Sequence, residues 1–385
     1  MRIFYLSNAL EESDFALLNA KAVMKPNPAG QNFHNKLLHA LAGFVQTEAY
    51  SLIPNQEGWL EAKTFDPYGP LRVHYLDSRG NKVYRFLTLP KKIAEKIKSD
   101  FPDLGEGDFV LYDSLNLALA KAAKVLAKKY GVKRVAILTD DPHNISGTKK
   151  TYQRTCVSLS SNADGYFALT KGLVSLFNKK EAPALVKMGL VEDIPACPSP
   201  LGTPYIYYGG ALFVKDGTKA LIDSYLVARP NIDLVIAGHG PYETILKEKC
   251  KLNKRVHFVG QLTKQEHYAY IKNAALLINP RIYSKKLDEV SVPSKVLEYL
   301  ASGSTILSTP STPILETYEN SINVLPNGGE DPTASLVKFY KEHIGKDGVI
   351  IKVKPNMSPS SIKKDLGSYA VGKALVDFLT SLGVR

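Results

Sequence analysis

The sequence predicts an α/β protein made of two Rossmann-like domains facing each other across a cleft. Three observations carry that prediction. At 385 residues the chain exceeds one ordinary core and suits two domains. Short apolar, partly β-branched runs alternate with helix-length segments, the pattern of buried parallel strands in doubly wound sheets. A proline-rich stretch near the middle divides that alternation in two.

The C-terminal half is the more regular. It runs YIYYGG from Tyr205, a helix from about Lys215 to Ala228, DLVIAG (233–238), a helix near 242–251 and VHFVG (256–260). A helix near 264–273, ALLINP (275–280), a helix from Pro293 to Ser302, TILST (305–309) and INVL (322–325) complete it. The N-terminal half repeats the theme with IFYL, a helix from about Gln31 to Gly43, FVLYD (109–113), a helix over 115–130, VAILTD (135–140) and DGYFALT (164–170). A hairpin over VHYLDSRGNKVYRF (73–86), with SRGN at its tip, is expected to interrupt it. DIPACPSPLGTP (193–204) holds four prolines in twelve residues and can be neither helix nor central strand. The expected organisation is therefore an N-terminal domain over 1–192, a linker over 193–204, a C-terminal domain over 205–365 and a final helix within 366–385.

Composition narrows the class. Hydrophobic content of 44% and charged content of 22% are those of a globular chain. No apolar run reaches the roughly 18 residues a membrane span needs, and MRIFYLSNALEESDF reads as a first buried strand and not a signal peptide. Cys156, Cys197 and Cys250 are far apart and show no CxxC spacing, which points to a reducing cytoplasm and away from zinc. The net charge of +12 fits solvated helix faces, an anionic membrane surface or phosphorylated substrates. Nucleic acid is not expected, because no RNP run, Cys/His pairing or basic recognition helix is present.

Several positions can carry chemistry. In SVPSKVLEYLASG (291–303), Pro293 suits a helix start and Gly303 a helix end. The free amides near Ser294 and Lys295 would cradle phosphate, and Glu298, four residues after Ser294, would accept from ribose hydroxyls. A plain capped surface helix fits the same spacing. In YYGGALFVKDGTKAL (207–221), Gly209 and Gly210 leave a strand end open to a ligand, and Lys215 can neutralise a diphosphate. Neither a GxGxxG fingerprint nor a Walker loop occurs. In the N-terminal half, Gly30 and Gln31 of NPAGQNFHNKLL can line the cleft, while His34 and Asn35 are expected on a solvated face. Asp140, Asp141 and His143 of TDDPHN sit past a strand end; with no third ligand, no metal site is expected there.

Taken in order, GGALFVKDG, DLVIAGHGP, VHFVGQLTKQEHYAYI, ALLINP and VPSKVLEYLASGSTILST resemble the retaining GT-B glycosyltransferases of the family-four group, which build bacterial polysaccharides and glycolipids. The similarity is specific over roughly 203–325 and weaker over 1–192. It implies a GT-B fold, a UDP- or GDP-linked sugar as substrate, a glycan or lipid-linked acceptor, retention of configuration, and no metal or cofactor. It implies that Lys215 meets the diphosphate, the amides of Ser294 and Lys295 the phosphate, Glu298 the ribose, and Gly260 the base. It places Gly30 and Gln31 near the transferred sugar or acceptor; Asp141 and His143, from their position past a strand end, are candidates for the same side. The final helix would return to the N-terminal domain.

Two positions depart from the family's pattern. Gly210 stands where many members have arginine, and Val290 stands where many have a first glutamate, with Glu289 out of register. The expectation is a cytoplasmic hexosyltransferase, peripheral to the inner face of the membrane if its lysines meet lipid. The rivals are a catalytically silent partner subunit and a sugar-nucleotide epimerase or phosphorylase on the same fold.

Overall fold

The computed structural model describes residues 1–21, 28–54, 60–145, 147–325 and 331–384. The chain forms two compact units, one of Met1–Leu190 with Leu366–Arg385 and one of Val191–Asp365.

The first unit is an eight-stranded sheet. Its strands are β1 (Ile3–Ser7), β2 (Thr47–Ile53), β3 (Thr64–Tyr68), β4 (Leu71–Asp77), β5 (Phe109–Asp113), β6 (Lys133–Leu138), β7 (Gly165–Ala168) and β8 (Ala184–Val186). The spatial order is β3-β4-β2-β1-β5-β6-β7-β8, parallel throughout except where β3 runs antiparallel to β4. The expected hairpin over 73–86 is corrected. The antiparallel pair is β3–β4, turning at Gly69, and the second half of the predicted hairpin is helical instead. Asn81 Oδ1 accepts from Tyr84 N at 2.8 Å, and a π turn (Tyr84–Thr88) runs into helix Leu89–Asp100. The alternation in KVYRF imitates a strand, but the local side-chain acceptor satisfies a helix-start amide and decides the conformation.

Helix Leu117–Tyr130 is well delimited. Asn116 Oδ1 accepts from Ala118 N and Leu119 N, and Gly131 ends it in the left-handed region at φ 74°. The final helix, Ser368–Gly383, lies in the core of this first unit. Val371, Leu375 and Leu379 are fully buried, packed with Leu37, Leu38 and Leu41. Gly372 lies so close to Ala40 O of helix Pro28–Ala42 that a Cβ there would overlap the carbonyl.

The second unit is a six-stranded, all-parallel sheet. It contains β9 (Tyr205–Gly209), β10 (Asp233–Ala237), β11 (Val256–Gly260), β12 (Leu276–Asn279), β13 (Ile306–Ser308) and β14 (Asn323–Val324). Its order, β11-β10-β9-β12-β13-β14, reverses direction between β9 and β12. That is the switch point of a doubly wound sheet, where the carboxyl ends of adjacent strands leave room for a ligand. All five residues of β9 are buried, which is why it reads as an uninterrupted apolar run. Helix Lys264–Asn273 opens on a reciprocal cap between Thr263 and Glu266. Residues 193–204, the expected linker, have no regular structure and lie within this second unit.

Candidate functional site

The carboxyl end of β9 gathers most of the sequence-predicted residues of the second unit. Gly209 N donates to Tyr299 Oη at 3.2 Å, which ties the strand end to helix Ser294–Ser302. That helix starts after Pro293, and its first amide with a backbone partner among the described residues is Val296 N, to Pro293 O at 2.9 Å. Ser294 is exposed at its first position, with the positive end of the helix behind it.

Glu298, one turn further, is half-buried. Its Oε2 lies 3.2 Å from His267 Nε2, and His267 Nδ1 lies 2.8 Å from Tyr207 Oη. Burial holds the Tyr207 phenol far above its ordinary range, so it stays a hydroxyl. With Tyr207 donating to Nδ1, the Nε2–H of the imidazole faces the carboxylate and fixes its direction. Gly209 admits this arrangement: a Cβ there would lie 2.7 Å from His267 Cε1. His267 carries no role in the sequence reading. Its partners lie 60 and 31 residues away, and only its place in a helix opened by the Thr263–Glu266 cap hinted at its direction.

Lys295 turns its side chain over Gly210, with Nζ 3.0 Å from Tyr208 Oη. Burial pushes its ammonium down to about 8. Gly238, at φ 135°, brings β10 against this point so closely that a Cβ would overlap Gly210 O, and its N–H donates to Gly260 O at 2.7 Å. Backbone alone therefore lines this strand end over Gly210, Gly238 and Gly260.

Lys215 departs from its expected place. It does not open a helix but sits in a 3₁₀ turn, Val214–Asp216, and the helix begins at Thr218 after Gly217. Gly217, at φ 82°, packs so tightly on Pro280 O that any side chain would overlap it. The Lys215 ammonium is exposed beside the Phe213 ring, and its carbonyl accepts from Ile282 N at 3.1 Å.

A shallow cleft opens at the ends of β12 and β13, bordered by Asn279, Arg281, Asp288, Ser291, Pro293 and Ser311. Asn279 Oδ1 and Ser311 Oγ are buried there without hydrogen-bond partners among the described residues. Both oxygens of Asp288 accept from Thr312 N, at 3.1 and 2.8 Å, capping helix Thr312–Tyr318. Val290 is buried and Glu289 exposed.

In the first unit, His34 and Asn35 correct the expectation of a solvated face; His34 is 4% exposed. Tyr5 Oη meets His34 Nδ1 at 2.8 Å, Asn35 Nδ2 donates to Leu10 O at 2.9 Å, and burial lowers the imidazole's affinity for a proton. These polar side chains face inward because they pin the loop after β1. Gln31 does the same, accepting from Leu10 N at 2.8 Å and donating to Leu10 O at 2.5 Å. Gly30 lies one residue earlier on the same helix. Asp141 Oδ1 accepts from His143 N at 2.8 Å and lies 2.6 Å from His143 Nδ1, just past β6. Asp141 is buried and His143 exposed. Among the described residues no group of three acidic, histidine or cysteine side chains converges as a metal site would.

Residues 203–339 match the sequence model of the family described as glycosyl transferases group 1. No curated protein matches the sequence significantly. Among solved structures, the chain is similar to sucrose-phosphate synthase from Thermosynechococcus elongatus, at 14% identity and a TM-score of 0.69, with 100% of both chains covered. It is also similar to HepE of Anabaena in complex with UDP (14% identity, TM-score 0.66, 99% of this chain and 100% of that one). The lipopolysaccharide outer core galactosyltransferase WaaB is a third, at 17% identity and 0.63, with 99% of each chain covered. Residues 203–339 thus match the glycosyl transferases group 1 family, and the chain has the GT-B fold of these solved structures.

Proposed function

We propose that the protein transfers a sugar from a UDP- or GDP-linked donor to a glycan or lipid-linked acceptor, with retention of configuration and without a metal. The observation that carries this reading is the convergence of Lys295, Glu298 and the free helix start on a glycine-lined strand end at the switch point of the second unit. Glycines admit a diphosphate to the backbone, a helix start and ammonium meet its charge, and an oriented carboxylate suits ribose hydroxyls. The Anabaena protein is seen with UDP, with UDP and glucose, and with UDP-glucose, which supports a donor of this class.

In such a transfer the bond from the sugar's anomeric carbon to the phosphate oxygen breaks, and its electron pair leaves with the diphosphate. The acceptor oxygen bonds to that carbon, and its proton passes to the departing phosphate. The protein's task is to stabilise the charge that develops on the diphosphate and to orient the acceptor. Lys215 contributes as an exposed cation. Lys215→Ala should weaken nucleoside diphosphate binding by roughly threefold, the scale of an exposed charge pair, and leave the bare nucleoside unaffected. Calorimetry with each ligand measures this, and equal weakening of both would remove Lys215 from the phosphate side. A catalytically silent subunit is the second reading, favoured by buried Val290 where a sugar-contacting glutamate would stand. Release of nucleoside diphosphate on turnover separates the two.

On the acceptor side we infer contact with an anionic membrane. No helix among the described residues is long and apolar enough to cross a membrane. In the first unit, Val83, just before the π turn, and Leu87, within it, are 65% and 51% exposed, flanked by exposed Lys82, Lys91 and Lys92. Exposed Lys124 and Lys128 extend the charge along helix Leu117–Tyr130, whose Lys121 holds Phe86 O at 2.9 Å. Apolar tips within a basic field suit a bilayer surface, each lysine contributing about 1 kcal/mol near anionic lipid. The protein should sediment with anionic vesicles at low salt, be released by added salt, and lose binding on Val83→Asp with Leu87→Asp. Equal sedimentation with neutral and anionic vesicles would overturn this.

A further inference from the structure

Lys295 has surroundings that a helix-surface lysine does not need. It is the second residue of helix Ser294–Ser302, yet its side chain lies half-buried over the end of β9. Its Nζ donates to Tyr208 Oη and stands 4.3 Å from the centre of that ring. Tyr208 Oη in turn donates to Ala211 O at 2.8 Å, so toward the lysine it acts as acceptor. A Cβ on Gly210 would lie 2.9 Å from Nζ and 3.1 Å from Cε. The ammonium therefore fills the volume that any side chain at position 210 would take.

Its charge has no direct ionic partner among the described residues, and its one hydrogen-bond partner there is a neutral phenol. The groups that face it are Tyr208 of β9, Asp216 of the 3₁₀ turn, Arg281 past β12 and Glu298 on its own helix. Desolvation outweighs the two carboxylates and lowers its proton affinity. A cation kept in this condition costs stability in the free protein and gains its partner when an anion arrives.

Resting on the nucleotide-sugar reading, we propose that Lys295 Nζ is the principal cation for the leaving diphosphate, and that Gly210 lacks a side chain in order to admit it. Lys295 thereby enters as a side chain, beyond the role of its amide. The sign of the linkage follows. The free group titrates at about 8, and a diphosphate beside it raises that value. Lys295's contribution to affinity is complete below about pH 8 and is lost as pH rises through the value in the complex. At pH 8 the free lysine is about half protonated, so binding takes up at most about half a proton per site.

The test is calorimetry at pH 8 in two buffers of different ionisation enthalpy, with uridine and guanosine diphosphates and the bare nucleosides. The unaltered protein should take up protons with a diphosphate and none with a nucleoside. Lys295→Met should abolish the uptake and weaken the diphosphate by about tenfold, with nucleoside affinity unchanged as proof of an intact site. Lys295→Arg should keep the affinity without the uptake. Proton uptake and affinity unchanged in Lys295→Met would overturn the proposal while leaving the nucleotide site standing. If neither diphosphate binds the unaltered protein, the nucleotide-sugar reading falls and the proposal with it.

Discussion

Replacing Glu298 by alanine should weaken nucleoside and nucleoside diphosphate alike by roughly ten- to a hundredfold. The reason is that ribose belongs to both ligands and the carboxylate is already aimed. Hydrogen bonds from ribose hydroxyls to a half-buried carboxylate are charge-assisted, worth about 1.5–3 kcal/mol together. The Glu298 side chain is 29% exposed, so its loss leaves no buried void and folded stability should change little. His267→Ala tests the positioning step. It removes the group that fixes Glu298 Oε2 and should weaken the same ligands less, adding little in a Glu298→Ala background. Unchanged affinities for uridine, guanosine and their diphosphates in Glu298→Ala would sink the proposed ribose contact.

The second large effect is expected on stability and far from Glu298 in the chain. Leu375 and Leu379 are fully buried in the first unit. Leu375→Ala should cost that unit about 2–5 kcal/mol, the usual range for a buried leucine truncated in a core. Leu375→Ala with Leu379→Ala should bring its unfolding well below that of the second unit. Denaturation should then show two transitions, of which only the later is raised by nucleoside diphosphate, because the proposed site is built from residues of the second unit. A single transition, protected throughout by the ligand, would contradict this division of stability.

What the sequence revealed, and what it hid, follows how each element is buried. Strands β9, β10 and β12 are covered on both faces by hydrocarbon, so their residues form plain apolar runs. Strand β2, TEAYSLI, is equally buried but keeps Glu48 and Tyr50 inside. Those two are satisfied by partners from distant segments, His74 at 3.1 Å and Asp100 at 2.7 Å. Burial through pairing leaves no mark in a hydropathy pattern. The same holds for His34 and Asn35, whose polarity suggested solvent and whose partners are Tyr5 and Leu10. At the site, glycines, the helix start and Glu298 were legible because their order and spacing are local. The His267 contact and the inward turn of Lys295 were not, since each depends on strand ends that meet only in the folded sheet.

The place of helix Ser368–Gly383 also bears on how the protein is made. The first unit begins at residue 1 but lacks Val371, Leu375, Leu379 and Leu382 of its core until residues 366–385 have left the ribosome. The second unit, Val191–Asp365, is complete earlier. At roughly 5–20 residues per second, nearly 200 residues of translation leave the apolar face of helix Pro28–Ala42 without its cover for some 10–40 seconds. The unit synthesised first is thus the one that closes last. A chain halted once residue 365 has emerged would present that open face to chaperones with its second unit already complete.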